Sequence, residues 1–418
     1  MHPPVPPSPA SSPLDTRAAL WMLVALTAGF SLSQAFRTIA AMMAPPLAQA
    51  WALSPRQLGV FAGAFHLSFG AMQLFMGIGI DLYGVRRTIL AVFPLALAGS
   101  ALAALAPDYG SLVAAQVLIG LGCAPAFLVC TVFIARHFAP QRFAALSGLA
   151  MAIGTVGMLL TGSPLAWLIE AWSWRAGFGL LALLALAAWL WMARSVHEPR
   201  VHAAAALPRE SPSQALRRFG ALFLLAHTWG IVALGGVTYA ALLALRGLWL
   251  GPMLISRHGF SLLQSGHVAL ALALTALVGP LWFGRMDPGP AARRRWLLAC
   301  TLALALLFVL LAAGLAAWLD VALMLAIGVL SGSIVLQYAD VRAAYPAQLT
   351  GRALALFTMA MFLGVAAMQW ATGWVASYAQ GRATDPYAVV MLCIAAALLL
   401  AALAFRVLPQ PAQAKNSL

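Results

Sequence analysis

The chain of 418 residues is 63% hydrophobic and only 8% charged, which excludes a water-soluble globular protein because no soluble core of this size buries so much apolar surface. Its formal net charge of +14 would suggest a nucleic-acid partner in a soluble protein. In an apolar chain, basic residues first report the orientation of helices in a membrane. We therefore predict an all-α polytopic membrane protein that contacts lipid and binds no nucleic acid.

Twelve apolar runs, most of them about 18 to 27 residues long, follow one another, and each can cross a hydrocarbon core of roughly 30 Å as a helix. These predicted transmembrane helices lie near residues 20–44, 57–80, 88–106, 110–135, 143–167, 174–193, 222–254, 264–283, 296–318, 321–345, 352–377 and 387–407. The predicted domains are a disordered cytoplasmic tail (1–19), a six-helix bundle (20–193), a cytoplasmic linker (194–218), a second six-helix bundle (219–407) and a C-terminal cytoplasmic tail (408–418).

The basic residues predict the orientation of these helices. Of the 24 Lys and Arg residues, two lie inside apolar runs and four lie in odd-numbered connections, which leaves 18 in the tails and even-numbered connections. The four are Arg56, Arg175, Arg257 and Arg382. Because cytoplasmic loops carry the excess of positive charge, both termini are predicted to be cytoplasmic. We expect a protein of the bacterial inner membrane.

The sequence contains no pattern typical of an enzyme or a metal protein. Its four cysteines lie in predicted spans without paired metal-ligand spacing, and they are Cys123, Cys130, Cys300 and Cys393. No nucleotide-binding loop and no nucleophile–base pair is present. We therefore predict no enzymatic activity, no cofactor and no metal.

The two halves of the chain repeat at an offset of 207 residues. This offset places Gly29 on Gly236, Pro45 on Pro252, Gly77 on Gly284, Gly157 on Gly364 and Trp167 on Trp374. It also superposes two predicted capping boxes, which begin at Ser54 and Ser261. Six helices repeated in the same orientation predict twelve transmembrane helices in two pseudo-twofold related six-helix bundles, with a substrate site between the bundles.

The connection between the second and third predicted helices reads GIGIDLYGVRR over residues 77–87. Its pattern G-x-x-x-D-x-x-G-x-R-R, together with the twofold repeat, resembles the loop signature of the major facilitator superfamily. The resemblance covers nearly the whole chain and implies a secondary transporter that works by alternating access. In the second copy, Asp287 is one residue out of register and Gly289 is misplaced, which predicts a more loosely held C-terminal gate.

The resemblance implies a gating latch that favours one access state without touching substrate. The predicted latch comprises Gly77, Asp81, Gly84, Arg86, Arg87 and Arg136. Gly77 and Gly84 permit close helix approach and a tight turn, and Asp81 requires a cation such as Arg136 nearby. The alternative is a merely topogenic arginine pair beside a solvated aspartate.

Two arginines, Arg37 and Arg246, lie inside the first and seventh apolar runs, where an unpaired cation is costly. Nine of the ten acidic residues lie in tails, loops or helix ends, and the tenth, Asp340, lies near the end of the tenth helix. An anionic substrate would supply the missing negative charge. The predicted substrate-binding residues are Arg37, Arg246, Gln34, Ser33, Thr38, Tyr239, His66 and Gln73, with Gln116 and Gln369 as weaker candidates.

The repeat does not superpose the two arginines. Arg37 aligns with Ala244, two positions before Arg246, which corresponds to about 200° around an ideal helix. Gly247 and Gly251 would have to distort the seventh helix to bring Arg246 into the cavity. The alternative is that both arginines snorkel towards the membrane surface near Pro45 and Pro252.

The pair of arginines resembles the organophosphate and organic-anion branch of the superfamily. We therefore predict a monomeric transporter of a small organic anion, either a carboxylate or a phosphorylated metabolite, with a proton or a counter-anion as coupling partner. His66 is the titratable candidate for coupling. The alternatives are a multidrug exporter, which would favour an acidic cavity, and a non-transporting membrane sensor. The sequence does not distinguish uptake from export.

Overall fold

The computed structural model describes residues 16–139, 142–197, 217, 219–382 and 384–411. Most of the predicted N-terminal tail, of the linker and of the C-terminal tail lies outside these ranges. The description also excludes some side chains within helices, which belong to Thr16, Leu74, Asp81, Phe143, Ala144, Ala291, Ala347 and Gln348.

The regular elements of the described residues are helices. Those of the first half are Thr16–Thr38, Ala40–Trp51, Pro55–Val92, Pro94–Ala104, Tyr109–Cys123, Ala126–His137, Phe143–Leu160, Ser163–Ala171 and Trp174–Ser195. Those of the second half are Ala226–Ala244, Leu250–His258, Leu262–Arg285, Pro290–Ala312, Ala317–Leu330, Ile334–Ala344, Ala347–Gln380 and Pro386–Val407, with short 3₁₀ helices at Ala221–Leu224 and Ser331–Ser333. A π-helical segment, Leu245–Trp249, joins the first two helices of the second half.

These helices form twelve transmembrane spans, as predicted. Eleven stretches are long and apolar enough to cross a membrane, and the part of Pro55–Val92 that precedes the break at Gly84 is the twelfth. Several spans contain two helices joined end to end. Spans 1 to 12 are residues 16–51, 55–83, 85–104, 109–137, 143–171, 174–195, 226–258, 262–285, 290–312, 317–344, 347–380 and 386–407.

Equivalent local structures in the two halves confirm the repeat. Spans 2 and 8 both begin with a capping box, in which Ser54 accepts from the Gln57 amide and Ser261 accepts from the Gln264 amide. Each box satisfies amide groups that a helix start leaves without intrahelical partners. The same 207-residue offset thus starts the same helix in both bundles.

The turns after spans 2 and 8 are also equivalent, although their sequences are not in register. Gly84 has φ 82° and ψ 171°, and Gly289 has φ 79° and ψ 171°. These positive φ angles favour glycine, because a Cβ would be strained there. The prediction that Gly289 is misplaced was wrong, since the second turn reaches its glycine at an offset of 205 residues.

The two halves are fastened together on the side of the membrane that contains the loop 52–54. We call the side of the membrane that contains Gly84 and Gly289 the termini side. The side that contains the loop 52–54 is then the opposite side. On the opposite side, the Arg56 amide donates to Ser377 Oγ at 2.8 Å, and the Leu263 amide donates to Glu170 Oε1 at 2.8 Å. Spans 2 and 11, and spans 5 and 8, therefore meet between the halves at this end.

Candidate functional site

Arg37 lies at mid-depth where four spans from both halves meet. Only 8% of the residue is exposed. Its guanidinium carbon lies 4.9 Å from the Phe69 ring centroid in span 2 and 4.7 Å from the Phe362 ring centroid in span 11. Its Nη1 atom donates to Tyr239 Oη in span 7 at 3.5 Å. Arg37 therefore contacts three other spans, two of them in the second half.

These contacts leave one edge of the Arg37 guanidinium without a protein partner. The Phe69 and Phe362 rings pack against the guanidinium, and Nη1 donates to Tyr239. The buried Nε atom has no hydrogen-bond partner among the described residues. A planar guanidinium binds a carboxylate or phosphate through two parallel N–H groups. An anion would supply the hydrogen-bond acceptor that Nε lacks.

Arg246 is the corresponding cation of the second half. It lies in the π-helical segment of span 7 and is 2% exposed. Its Nη2 atom donates to the Met158 main-chain oxygen in span 5 at 3.1 Å, whereas Nε and Nη1 have no described partner. A π-helical segment inserts extra backbone into a helix and changes which way the following side chains face. The sequence repeat required a distortion of the seventh helix near Arg246, and the π-helical segment lies at that position.

Among the described side chains, no carboxylate lies within 4 Å of Arg37 or Arg246, whereas the other described ion pairs involve loop-proximal residues. Tyr239 and the Met158 carbonyl are neutral acceptors, so each guanidinium is hydrogen-bonded but its charge is not compensated. A buried cation in this condition is energetically unfavourable. The pair therefore forms a region of positive charge between the halves that an anion can neutralise.

Of the polar residues predicted around Arg37, the structure brings Gln34 to the region of Arg246. Gln34 Nε2 contacts Met158 Sδ at 3.7 Å, and its buried Oε1 has no described partner. Ser33 Oγ instead donates to the Cys123 carbonyl at 3.4 Å, and Thr38 Oγ1 bonds Thr161 Oγ1 at 2.8 Å. Ser33 and Thr38 thus use their hydroxyl groups in contacts between helices of the first half.

His66 and Gln73, predicted to share a face of span 2, have different environments. His66 is buried, its Nε2 atom has no described hydrogen-bond partner, and its ring stacks on Phe362 with centroids 6.3 Å apart. Gln73 Nε2 donates to the Ala124 carbonyl in span 4 at 3.2 Å. The structure therefore brings His66, but not the Gln73 amide, beside the aromatic residues that surround Arg37.

Three residues that contact the two arginines were not predicted from the sequence, namely Phe69, Phe362 and Met158. Apolar residues in an apolar span carry no sequence signal of their own. Gln369, a weaker candidate from sequence, is fully buried in span 11, and neither its Nε2 nor its Oε1 has a described partner.

A cavity of about 630 Å³ opens on the opposite side of the membrane, outside this region. Pro45, Glu170, Trp249 and Pro252 are among its lining residues, and neither buried arginine lines it. Trp249 is the last residue of the π-helical segment, and its Nε1 donates to Thr372 Oγ1 at 2.9 Å. The π-helical segment therefore contributes Arg246 to the mid-depth region and Trp249 to this outer cavity.

The predicted latch is described in part. Gly84 forms the turn, Arg86 Nη2 donates to the Ala193 carbonyl of span 6 at 3.0 Å, and Arg87 is exposed. A Cβ on Gly77 would meet no described atom within 4 Å, so the expected close helix approach is not seen there among the described residues. The Asp81 side chain lies outside the described residues. Its pairing with Arg136, which is exposed at the end of span 4, stays a prediction.

The equivalent connection of the second half is held by two ion pairs. Arg293 Nε and Nη2 donate to the two Asp287 carboxylate oxygens at 3.0 and 2.6 Å, which lowers the pKa of Asp287 from its ordinary value. Arg294 lies 3.7 Å from Asp340 of span 10. Asp287 thus pairs with Arg293 despite its shift in register, and the expectation that the C-terminal gate is held more loosely than the first stays a prediction.

A second charged cluster lies on the opposite side and was not predicted. His258 Nε2 lies 2.8 Å from the buried Asp320, and Arg257 Nε donates to Asp385 at 3.0 Å. These contacts join spans 7, 10 and 12 within the second half. Within the described residues, no group of three or more His, Cys, Asp or Glu side chains is arranged to hold a metal ion.

Comparisons with known proteins agree with this architecture. The sequence profile of the Major Facilitator Superfamily matches residues 25–339. The chain is 29% identical over 289 residues to the 3-(3-hydroxy-phenyl)propionate transporter of Escherichia coli (strain K12), with 67% of this chain and 66% of that protein covered. It is 23% identical over 150 residues to the hexuronate transporter of Bacillus subtilis (strain 168), with 36% of each covered. The chain thus aligns with less than two thirds of the length of each of these relatives.

Solved structures give the same fold. A bacterial homologue of the human lysosomal transporter Spinster, in an inward-facing and occupied conformation, has a TM-score of 0.75 at 16% identity, with 97% of this chain and 98% of that chain covered. The D-xylose–proton symporter has a TM-score of 0.72 at 14% identity, with 94% and 98% covered. At these identities, the similarity extends to the fold.

Proposed function

Because the chain belongs to the Major Facilitator Superfamily, we propose that it is a secondary transporter that carries a small organic anion between its two halves by alternating access. One observation carries the proposal. Arg37 and Arg246, one from each half, are buried at mid-depth without a described carboxylate partner, and each retains unoccupied N–H groups. A carboxylate is the preferred substrate group, and a phosphate is the alternative.

The contacts of the two arginines suggest how an anion would be bound. The Nε edge of Arg37 takes one carboxylate group in the plane that Phe69 and Phe362 border, and the Phe rings contact the apolar part of the substrate. Arg246 contributes its free Nε and Nη1 atoms from the second half. Two relatives are named as transporters of hexuronate and of 3-(3-hydroxy-phenyl)propionate, which are both organic acids, and this supports a carboxylate.

Anion binding would also affect the transport cycle. Each arginine already donates across the interface to a neutral acceptor in the other half. An anion that contacts both cations adds charge-assisted hydrogen bonds from the two halves to one ligand. The bound anion therefore stabilises an occluded state, from which the halves rock about the fixed site.

The remaining features of the transporter follow from the sequence. The distribution of arginines supports a bacterial inner-membrane protein whose termini, and hence whose termini side, face the cytoplasm. The functional unit is a monomer, because one chain supplies both arginines. The coupling partner is a proton or a counter-anion. Asp81, Arg86, Arg87 and Arg136 form the latch of the first half together with Gly77 and Gly84.

A binding screen tests the proposal. The purified protein in one detergent is heated with a panel of monocarboxylates, dicarboxylates, uronates, sugar phosphates, neutral sugars and lipophilic cations, and its melting temperature is recorded. We expect stabilisation by at least one class of organic anion, and loss of that stabilisation in Arg37→Gln. Stabilisation by cations or neutral sugars, without any response to anions, would refute an anionic substrate.

A further inference from the structure

Two buried polar side chains beside Arg37, those of His66 and Gln369, have hydrogen-bonding atoms without a described partner. Unlike the arginine, which only donates, these two side chains can also accept hydrogen bonds. His66 and Gln369 are 2% and 0% exposed. The His66 Nε2 atom and both side-chain atoms of Gln369 have no described hydrogen-bond partner. Buried polar groups are usually satisfied, since one without a partner has lost its hydrogen bonds to water and gained none in return.

The His66 tautomer follows from its single hydrogen bond. Nδ1 lies 3.1 Å from the Ala62 carbonyl oxygen, which can only accept. Nδ1 therefore carries a proton, and Nε2 of the neutral ring holds a lone pair. The free nitrogen of His66 is thus a hydrogen-bond acceptor, which a carboxylate cannot use but an O–H group can.

Gln369 adds both a donor and an acceptor next to this nitrogen. Its side chain lies within hydrogen-bonding reach of the His66 ring, and that ring in turn feels the charge of Arg37. The angles between the His66 and Gln369 side chains do not form a hydrogen bond of regular geometry. A Cβ on Gly247 would lie 3.4 Å from Gln369 Nε2 and 3.6 Å from the Arg37 main-chain oxygen. The amide therefore lies between span 1 and the π-helical segment of span 7.

Many other buried polar residues of the chain are satisfied within the protein, although Ser147, Ser163 and Asp320 also hold buried atoms without a described partner. Thr228 Oγ1, for example, bonds both the Leu222 carbonyl at 2.7 Å and Tyr345 Oη at 2.8 Å. The unused atoms of His66 and Gln369 are concentrated beside the guanidinium that lacks an anion. Packing alone gives no reason for an imidazole and an amide at this place, because apolar side chains of similar size would fill it without loss of hydrogen bonds.

We propose that His66 and Gln369 form a hydroxyl-binding subsite, so that the transported anion is a hydroxy acid. The substrate hydroxyl donates to His66 Nε2 and accepts from Gln369 Nε2, while the carboxylate binds Arg37. The inference rests on the proposed function, since it assigns the polar part of the same substrate. It adds the requirement that the substrate carries a hydroxyl group, which the two arginines do not impose.

Matched acid pairs test the subsite. Binding of benzoate is compared with that of its 2-, 3- and 4-hydroxy derivatives, and binding of propionate with that of lactate and 3-hydroxypropionate, at one pH and ionic strength. We expect the wild type to bind at least one hydroxy acid about tenfold or more tightly than its parent acid. In His66→Phe and in Gln369→Leu, this ratio falls towards one, while affinity for the parent acid changes little.

Thr301→Val is the control, because Thr301 is a buried polar residue whose hydroxyl bonds the Leu297 carbonyl within span 9. It should retain the wild-type ratio. The two variants are independent, so one that fails to fold leaves the other informative. Acids that bind without any preference for a hydroxyl group, or a preference that survives in both variants, would overturn the subsite. Failure of every acid to bind would overturn the anionic substrate itself.

Discussion

Arg246 and Met158 lie in different halves of the chain, and Arg246 Nη2 donates to the Met158 main-chain oxygen at 3.1 Å. Arg37 makes the reverse connection, from the first half to Tyr239 of the second. Both acceptors are neutral, so these bonds hold the halves less strongly than ion pairs would. Two buried cations are thus each hydrogen-bonded to the opposite half and each retain an N–H group without a described partner.

Arg246→Lys should weaken anion binding although it retains the positive charge. An ammonium lacks the planar fork and cannot contact Met158 and the anion at once, so we expect a loss of ~1–3 kcal/mol, measured as the dissociation constant of the best anion from the screen. Arg382→Gln, which removes a charge from an exposed position, is the control. Equal weakening by both variants would indicate a general effect of charge rather than a contact with substrate.

Gly84→Ala and Gly289→Ala should destabilise the protein or shift its conformation, because both glycines have positive φ angles near 80°. An alanine there costs about 1–2 kcal/mol. Gly351→Ala is the matched control, since Gly351 lies in a regular helix and its Cβ would meet no atom within 4 Å. Thermal unfolding of the three variants should give two destabilised proteins and one at or above the parent. Tolerance of alanine at both positions would contradict the strain expected from these positive φ angles.

The sequence was sufficient for the spans, the repeat and the two buried arginines, because hydropathy and charge are visible residue by residue. Gly289 was misjudged because a fixed offset ignores a two-residue difference in loop length. Phe69, Phe362 and Met158 were missed because their role depends on how spans 2, 5 and 11 face Arg37 and Arg246. The pairing of His258 with Asp320, 62 residues apart, requires the packing of spans 7 and 10.

The first-half latch predicts a separation between binding and turnover. Asp81→Asn should slow transport more than it weakens equilibrium binding of the anion, because the latch changes the balance of access states without touching substrate. Initial uptake rates and dissociation constants from the same preparation provide the comparison. Equal losses in both quantities would instead assign Asp81 to the substrate site.

The second-half ion pair predicts acid sensitivity. Hydrogen bonds from Arg293 lower the pKa of Asp287 below its ordinary value of 3.8. A carboxyl group with a depressed folded-state pKa stabilises the protein above its unfolded-state pKa, and the stabilisation is lost as the pH falls through the folded-state value. Asp287→Asn should therefore have a lower melting temperature than the parent at pH ~6, and the difference should shrink below pH ~4. A difference that is independent of pH would mean that the Asp287 charge is not responsible.

The most direct measurement of the central claim is anion uptake into proteoliposomes by the wild type and by Arg37→Gln, reconstituted at equal density in the same lipid. Arg37→Gln removes a buried charge that no described carboxylate compensates, so it should insert and fold at least as well as the parent. The account predicts saturable uptake of an organic anion by the wild type and its abolition in folded Arg37→Gln. Uptake of the anion by Arg37→Gln at the wild-type rate and affinity would contradict it.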